Sequence, residues 1–328
     1  MPPRIGLVLS GGGAKGAFTV GALKVVRQKL GVDTFPVISG TSTGSLIGTL
    51  LAIDDWSTLV DIYSNVQTQN IVNPHHALVA AIAGPEAVLF AAAVLGGRAI
   101  YDTTALRATI AANVDMQAVV DAFPETLLIY NTVDLQTGRS TPFANRDFGK
   151  KVLLEALLAS ASMPVLMDPV PITVDGTTHQ YVDGGVREFL PLGALFASDI
   201  EVDQIIAIST APLEARRTPA DYDKITDILA RTVDLLDVEV GANDYQGAQL
   251  YNAILKMLEN AKAAGLSRSA LLQGIPDAVK PTIKDKVSIP ITVIAPKDHL
   301  DLDSLDFDPA GMRAVMALGL EAAKTALA

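Results

Sequence analysis

Two strand-turn-helix units packed into the first fifty residues constrain this chain more than any other feature. Ile5 to Leu9 is an unbroken apolar run of strand length, followed by Gly11-Gly12-Gly13 and by a stretch in which Phe18, Ala22, Val25 and Val26 share one helical face. Pro36-Val37-Ile38-Ser39 is a second short strand, Gly40 to Gly44 a tight turn, and Ser45 to Ala52 the start of a second helix. Apolar strands alternating with helices define an α/β protein whose mostly parallel central sheet is covered by helices on its faces.

Later segments add to that sheet. Asp54 to about Arg107 reads as helix without clear strands, a helical insertion over about 55–110. Its apolar pieces, Ala77 to Ala83 and Ala87 to Leu95, are separated by Pro85 and Glu86 and are too short to span a membrane. Thr126 to Val133 and Arg139 to Phe143 read as strands joined through Gln136-Thr137-Gly138, and Lys151 to Ala161 as a helix. Val170 to Val174 and His179 to Val182 form an expected hairpin around Asp175-Gly176. Gln204 to Ser209 is a further core strand. Two amphipathic helices, Ile225 to Val238 and Tyr245 to Ala264, a strand at Ile291 to Ile294 and a terminal helix after Pro309 close the chain. Residues 1–200 are thus expected to hold the chemistry, and 201–328 to complete the same fold.

Three glycine turns carry the chemical signal. Gly40-Thr41-Ser42-Thr43-Gly44 is a G-x-S-x-G set between strand and helix, where the flanking glycines relieve a strained turn that pushes the serine hydroxyl out from the sheet edge. Gly11-Gly12-Gly13-Ala14-Lys15-Gly16 exposes backbone N–H groups of the kind a developing oxyanion requires. The same run fits G-x-G-x-x-G, so a nucleotide-binding module is an alternative. Against it, Asp33 falls before the second strand, whereas a ribose-binding acid belongs at that strand's end. A Walker A loop is excluded because no G-K-[ST] follows.

A serine hydroxyl needs a base, and only His75, His76, His179 and His299 are available as histidines. His299 completes the order Ser42, Asp183, His299, but a nucleophile on the second strand of the sheet does not match that arrangement, and Pro296-Lys297-Asp298-His299 reads as a surface loop. His75 and His76 lack the third-ligand spacing of a zinc site. Asp183, in Tyr181-Val182-Asp183-Gly184-Gly185 at a strand end, is then the carboxylate best used beside Ser42, although Asp-Gly-Gly is also an ordinary turn.

Charge removes other classes. Thirty-six Asp and Glu against 25 Lys and Arg, a net charge of −11, disfavour nucleic acid. Any peripheral membrane contact would rest on apolar insertion. With no cysteine there is no disulfide, thiol nucleophile or thiolate metal site. The apolar run at the start is too short for a signal peptide, so a cytoplasmic location is expected. Nothing in the sequence sets an oligomeric state.

Taken together, the glycine-rich loop, the G-x-S-x-G serine and the Asp-Gly-Gly turn resemble the patatin-like phospholipase family. The resemblance runs from Ile5 to about Asp199, includes Ala159-Ser160-Ala161-Ser162-Met163-Pro164, and extends to Phe307-Asp308-Pro309 and its helix, which are similar to the tail of bacterial members. It implies a three-layer patatin-like fold and a Ser-Asp dyad of Ser42 and Asp183 without histidine. It further implies an oxyanion hole at Gly11, Gly12 and Gly13, motif support from Lys15, Gly16, Gly40, Gly44, Gly184 and Gly185, and no metal or organic cofactor. The implied substrate is a lipid or other fatty-acyl ester, cleaved as by a phospholipase A or lysophospholipase; an acyltransferase or soluble carboxylesterase using the same dyad is the alternative. Lys15 either adds positive charge near a substrate head or is a solvated helix-start lysine. Segment 73–98 is expected to be either an acyl-chain wall or lid, or plain core packing.

Overall fold

A computed structural model describes residues 3–74, 98–217, 221–267, 272–273, 283 and 286–328. Its centre is a sheet in the order β10-β9-β1-β2-β5-β8-β7, with β6 paired to the far edge of β5. The strands are β1 (Ile5–Leu9), β2 (Val37–Thr41), β5 (Leu127–Asp134), β6 (Ser140–Ala144), β7 (Val170–Val174), β8 (Thr177–Asp183), β9 (Gln204–Ile208) and β10 (Ile291–Ile294). From β10 to β5 neighbouring strands are parallel; β6, β8 and β7 run antiparallel to their partners. The mostly parallel α/β sheet expected from the first fifty residues is therefore present.

Side chains alternate across this sheet as the pleat requires. Ile5, Leu7 and Leu9 of β1, Ile38 of β2, Leu128 and Tyr130 of β5, and Ile206 and Ile208 of β9 enter one buried cluster. It is shared with α1 (Gly16–Leu30), α2 (Thr43–Ala52), α3 (Trp56–Asn65), α6 (Lys150–Ser160) and α9 (Pro309–Ala326). Val8, Val37, Leu127, Ile129, Ile205 and Ala207 point the other way. They meet Leu192 and Leu195 of α7 (Leu192–Ala197) and Ala248 of α8 (Ile225–Ala263). The result is three layers, with apolar strands buried on both faces.

Three differences from the sequence reading have physical causes. The stretch between α3 and α4 (Thr104–Asn113), expected to be helix throughout, contains two-residue strands β3 (Asn73–Pro74) and β4 (Tyr101–Asp102) that pair with each other; a strand of two residues leaves no periodicity to read. The two expected helices between Ile225 and Ala264 are one helix of 39 residues. Gly241 does not break it. Instead the missing side chain admits the Phe189 ring, whose Cδ1 would stand 3.0 Å from a Cβ at that position. Between β4 and β5 the short α5 (Met116–Asp121) is capped by the Asp115 carboxylate, which accepts from the Gln117 amide. Residues 75–97, which hold His75, His76, Val88, Leu95 and most of the expected lid, lie outside the described residues.

The hairpin of β7 and β8 closes as expected. Asp175 and Gly176 both adopt positive φ, the two-residue turn that matches strand twist. At the other end of the chain, Asp308 caps α9 by accepting from the Gly311 amide at 2.7 Å. That helix crosses α1 at near backbone contact: a Cβ on Gly319 would overlap the Phe18 carbonyl oxygen, and one on Gly21 would overlap that of Met316. Gly319→Ala should therefore destabilise the protein by about 1–3 kcal/mol through overpacking, read as a lowered urea midpoint with an unchanged m-value.

Candidate active site

The pairing of β5 decides where the candidate residues meet. Residues 129–133 of β5 pair with β6 along one edge. On the opposite edge β2 occupies positions up to Thr41↔Asn131, and β8 takes over at the next position, Asp183↔Thr132. The two strands thus approach head-on along one edge, and the residues at their ends, Ser42 and Asp183, are delivered to the same point. This is also the carboxyl end of β1, β2 and β9, where open α/β sheets carry their sites.

Ser42 occupies a backbone region that L-residues rarely adopt, with φ 54 and ψ −126. The bare flanks of the turn permit it: a Cβ on Gly40 would lie 2.6 Å from the Gly44 carbonyl carbon, and one on Gly44 2.6 Å from the Ser10 carbonyl oxygen. A buried polar hub holds the turn. Ser160 Oγ accepts from the Ser42 amide at 3.1 Å, shares a 2.8 Å hydrogen bond with Ser45 Oγ and donates to the Asn131 carbonyl at 2.7 Å. Asn131 Nδ2 in turn donates to Ser39 Oγ and to the Gly40 carbonyl.

Asp183 is only 3% exposed. Its amide donates to the Ser162 carbonyl, and its Oδ1 accepts from the Gly185 amide at 2.7 Å. Burial pushes the carboxyl from 3.8 up to about 6, while the neighbouring Ser42 hydroxyl and the Gly185 amide pull it back down. The hydroxyl is close enough to act on the carboxylate, yet no aligned hydrogen bond forms: among the described residues the buried Oδ2 has no partner. Buried polar atoms are almost always paired, so this unpartnered oxygen is an exception in the fold. Gly184 lies so close to β5 that a Cβ there would overlap the Asn131 carbonyl oxygen.

The glycine loop runs past the same point. Gly12 and Gly13 have φ of 126° and 55°. The Gly11 amide donates to the Phe189 carbonyl at 3.3 Å, whereas those of Gly12 and Gly13 have no acceptor among the described residues. Thr210, beyond the end of β9, braces the loop by donating from Oγ1 to the Gly11 carbonyl, and the Ser304 carbonyl receives the Ala14 amide on the other side. Gly16 lets the loop press on α2, since its Cβ would stand 2.5 Å from Thr43 Oγ1.

Lys15 is not the solvated helix-start lysine of one expectation. The side chain is buried and its Nζ binds Asp234 Oδ1 of α8 at 2.6 Å, a partner 219 residues away that local sequence cannot reveal. His299 is not a free loop residue. Its Nε2 lies 3.0 Å from an Arg231 nitrogen, and partial burial followed by that guanidinium holds its pKa below the usual imidazole value. It lines a small polar hollow with Lys15, Thr210, Asp234 and Asp237, and does not line the cavity that Ser42 and Asp183 enter.

That cavity has a volume of about 390 Å³. Gly12, Gly13, Ser42 and Asp183 stand at one part of it, and its walls are apolar side chains such as Leu50, Leu106, Ile110, Met167, Leu229 and Phe307. The long helix α8 therefore supplies a wall that its amphipathic pattern did not single out. Sequence reasoning also passed over Asn131, Thr210 and Asp237. Of the residues found only by structure, Ser160 left a trace, since it sits in the Ala159-to-Pro164 segment noted above.

A mostly parallel α/β sheet with a serine on a strained strand-to-helix turn, facing a buried carboxylate in an apolar cavity, has the layout of a candidate acyl-transfer site. The family model for patatin-like phospholipase matches residues 7–196, more than half of the chain, and the chain belongs to that family. At family level this is a family of lipid acyl hydrolases. A 49-residue stretch, 15% of the chain, is 55% identical to patatin-like phospholipase domain-containing protein ZK370.4 of Caenorhabditis elegans, and a 50-residue stretch, 14% of the chain, is 46% identical to the cUMP-AMP-activated phospholipase of Escherichia coli. These matches span 3% and 16% of those two proteins. VipD from Legionella pneumophila superimposes with a TM-score of 0.49 at 13% identity, over 99% of this chain and 67% of that one.

The hub is testable apart from any chemistry. Ser160→Ala leaves the Ser42 amide and the Asn131 carbonyl without their partner, which should cost about 1–3 kcal/mol, measured by urea denaturation.

Proposed function

We propose that this protein hydrolyses fatty-acyl esters in the manner of a phospholipase A or lysophospholipase, with Ser42 as nucleophile and Asp183 as its base. One observation carries the reading: a serine forced out on a strained turn shares an apolar cavity with a buried carboxylate whose Oδ2 is unpartnered.

Asp183 Oδ2 takes the Ser42 proton as Oγ bonds to the ester carbonyl carbon, and the carbonyl oxygen becomes an oxyanion. The Gly12 and Gly13 amides, uncommitted among the described residues, donate to that oxyanion, and the positive end of the α2 dipole adds to the field. The Gly11 amide is already engaged and plays a bracing part. Collapse breaks the ester C–O bond, and the leaving alcohol oxygen takes the proton back from Asp183. Water then attacks the acyl-serine carbonyl, giving its proton to Asp183, which returns it to Ser42 Oγ as the fatty acid leaves. Burial suits Asp183 to this exchange, since a carboxylate of pKa about 6 is ionised at neutral pH and a better proton acceptor than a solvated one. The apolar walls take the acyl chain.

Labelling by a fluorophosphonate probe tests the dyad. Ser42→Ala and Asp183→Asn should abolish labelling in folded protein, and His299→Ala should retain it; loss in the last variant alone would hand the base role to His299. The pH profile is a second check. Only ionised Asp183 accepts the proton, so ester hydrolysis should rise with pH through a midpoint near 6 and then level off. A profile whose lower limb lies near 4 would mean that a solvated carboxylate, not Asp183, limits the rate.

A further inference from the structure

Asp237 of α8 takes no part in the chemistry above, yet it lines the same cavity as Ser42 and Asp183. It is only 8% exposed, and no described residue hydrogen-bonds it. It also lines the polar hollow behind, whose Lys15 is bound to Asp234. Charged groups within electrostatic reach of Asp237 are Lys15, Asp183 and Asp234, so three carboxylates share one ammonium group. Among the described residues that line the large cavity, Asp183 and Asp237 are the charged ones, and neither Lys, Arg nor His is present.

The cations nearest along the chain are engaged elsewhere. Arg187, next to the lining residue Val186, donates to the Gly138 carbonyl; Arg231, next to Thr232, contacts His299 and the Arg216 carbonyl. Sequence alone adds that residues 75–97 contain neither Lys nor Arg, but two histidines, His75 and His76.

Building on the acyl-hydrolase reading, and narrowing its substrates away from the phospholipids named there, we infer that Asp237 makes the site selective for uncharged acyl esters, such as glycerides, over esters that bring a phosphate or carboxylate into the cavity. The physics is direct. In a cavity walled by hydrocarbon, screening is weak, and an anionic group near two carboxylates meets repulsion that no cation among the described lining residues offsets, Lys15 being already paired with Asp234. An uncharged glyceride brings no charge to desolvate. The fatty-acid product, once ionised beside Asp183 and Asp237, is repelled from the site that made it.

The test compares 1,2-dioctanoylglycerol with 1,2-dioctanoylglycerol 3-phosphate, which share acyl chains and differ in the phosphate alone. At pH 8, where Asp183 and Asp237, raised by burial to about 6 and about 7, are both ionised, kcat/KM for the uncharged ester should exceed that for the phosphate by about tenfold or more. Asp237→Asn keeps the shape and should narrow that ratio severalfold. Equal or faster turnover of the phosphate by wild type, or an unchanged ratio in a folded Asp237→Asn variant, would overturn the inference. Failure of wild type to cleave either ester, or undiminished cleavage by Ser42→Ala, would instead bring down the hydrolase reading on which it rests.

Discussion

The site depends on one edge of β5. Asn131 closes the pairing with β2 and Thr132 opens the pairing with β8, so two strands 140 residues apart end against each other on adjacent positions. Backbone hydrogen bonds set that register, and register is sharp because both faces of β5 are buried: a slip of one residue would exchange Leu128 and Tyr130 with Leu127 and Ile129 between the two cores. The meeting of Ser42 with Asp183 is therefore a by-product of packing the sheet. The polar hub of Asn131 and Ser160 converts this coarse placement into a fine one, tying the serine turn to β5 by hydrogen bonds.

Around this junction the protein concentrates costs that a structural core would avoid. Ser42 holds a rare backbone conformation, Asp183 keeps an unpartnered oxygen out of water, and Asp237 sits buried near two further carboxylates. Asp244 is pushed up to about 7 chiefly by burial, while its Oδ2 receives the Leu190 amide and so pins the loop that follows Asp183 to α8. Such costs persist only where surrounding structure over-determines them. Here the support comes from the two cores on either face of the sheet, and from Phe189, whose ring fills the space left by Gly241 while its carbonyl holds Gly11.

No described helix is long and apolar enough to cross a bilayer, and the most apolar surface of the site is turned inward as the walls of the cavity. An apolar cavity thus lies at the carboxyl ends of the parallel strands.

By itself the sequence determined most of what has a local cause. The strand-turn-helix pattern, the glycines that allow the Ser42 turn and the Asp175-Gly176 hairpin follow from steric and hydrogen-bonding rules spanning a few residues and are legible without a structure, whereas the short α5, capped just as locally by Asp115, was too brief to show a periodicity. What only the tertiary structure decided is non-local. Lys15 is solvated or buried according to whether Asp234, on a distant helix, reaches it; Gly241 breaks or continues a helix according to whether an aromatic ring arrives to fill its gap. The head-on approach of β2 and β8, the orphan oxygen of Asp183 and the aim of Asp237 into the cavity likewise depend on which surfaces the chain folds together. Periodicity and turn chemistry carry no information about partners hundreds of residues away, because those contacts are selected by burial of the whole sheet and not by any neighbouring residue.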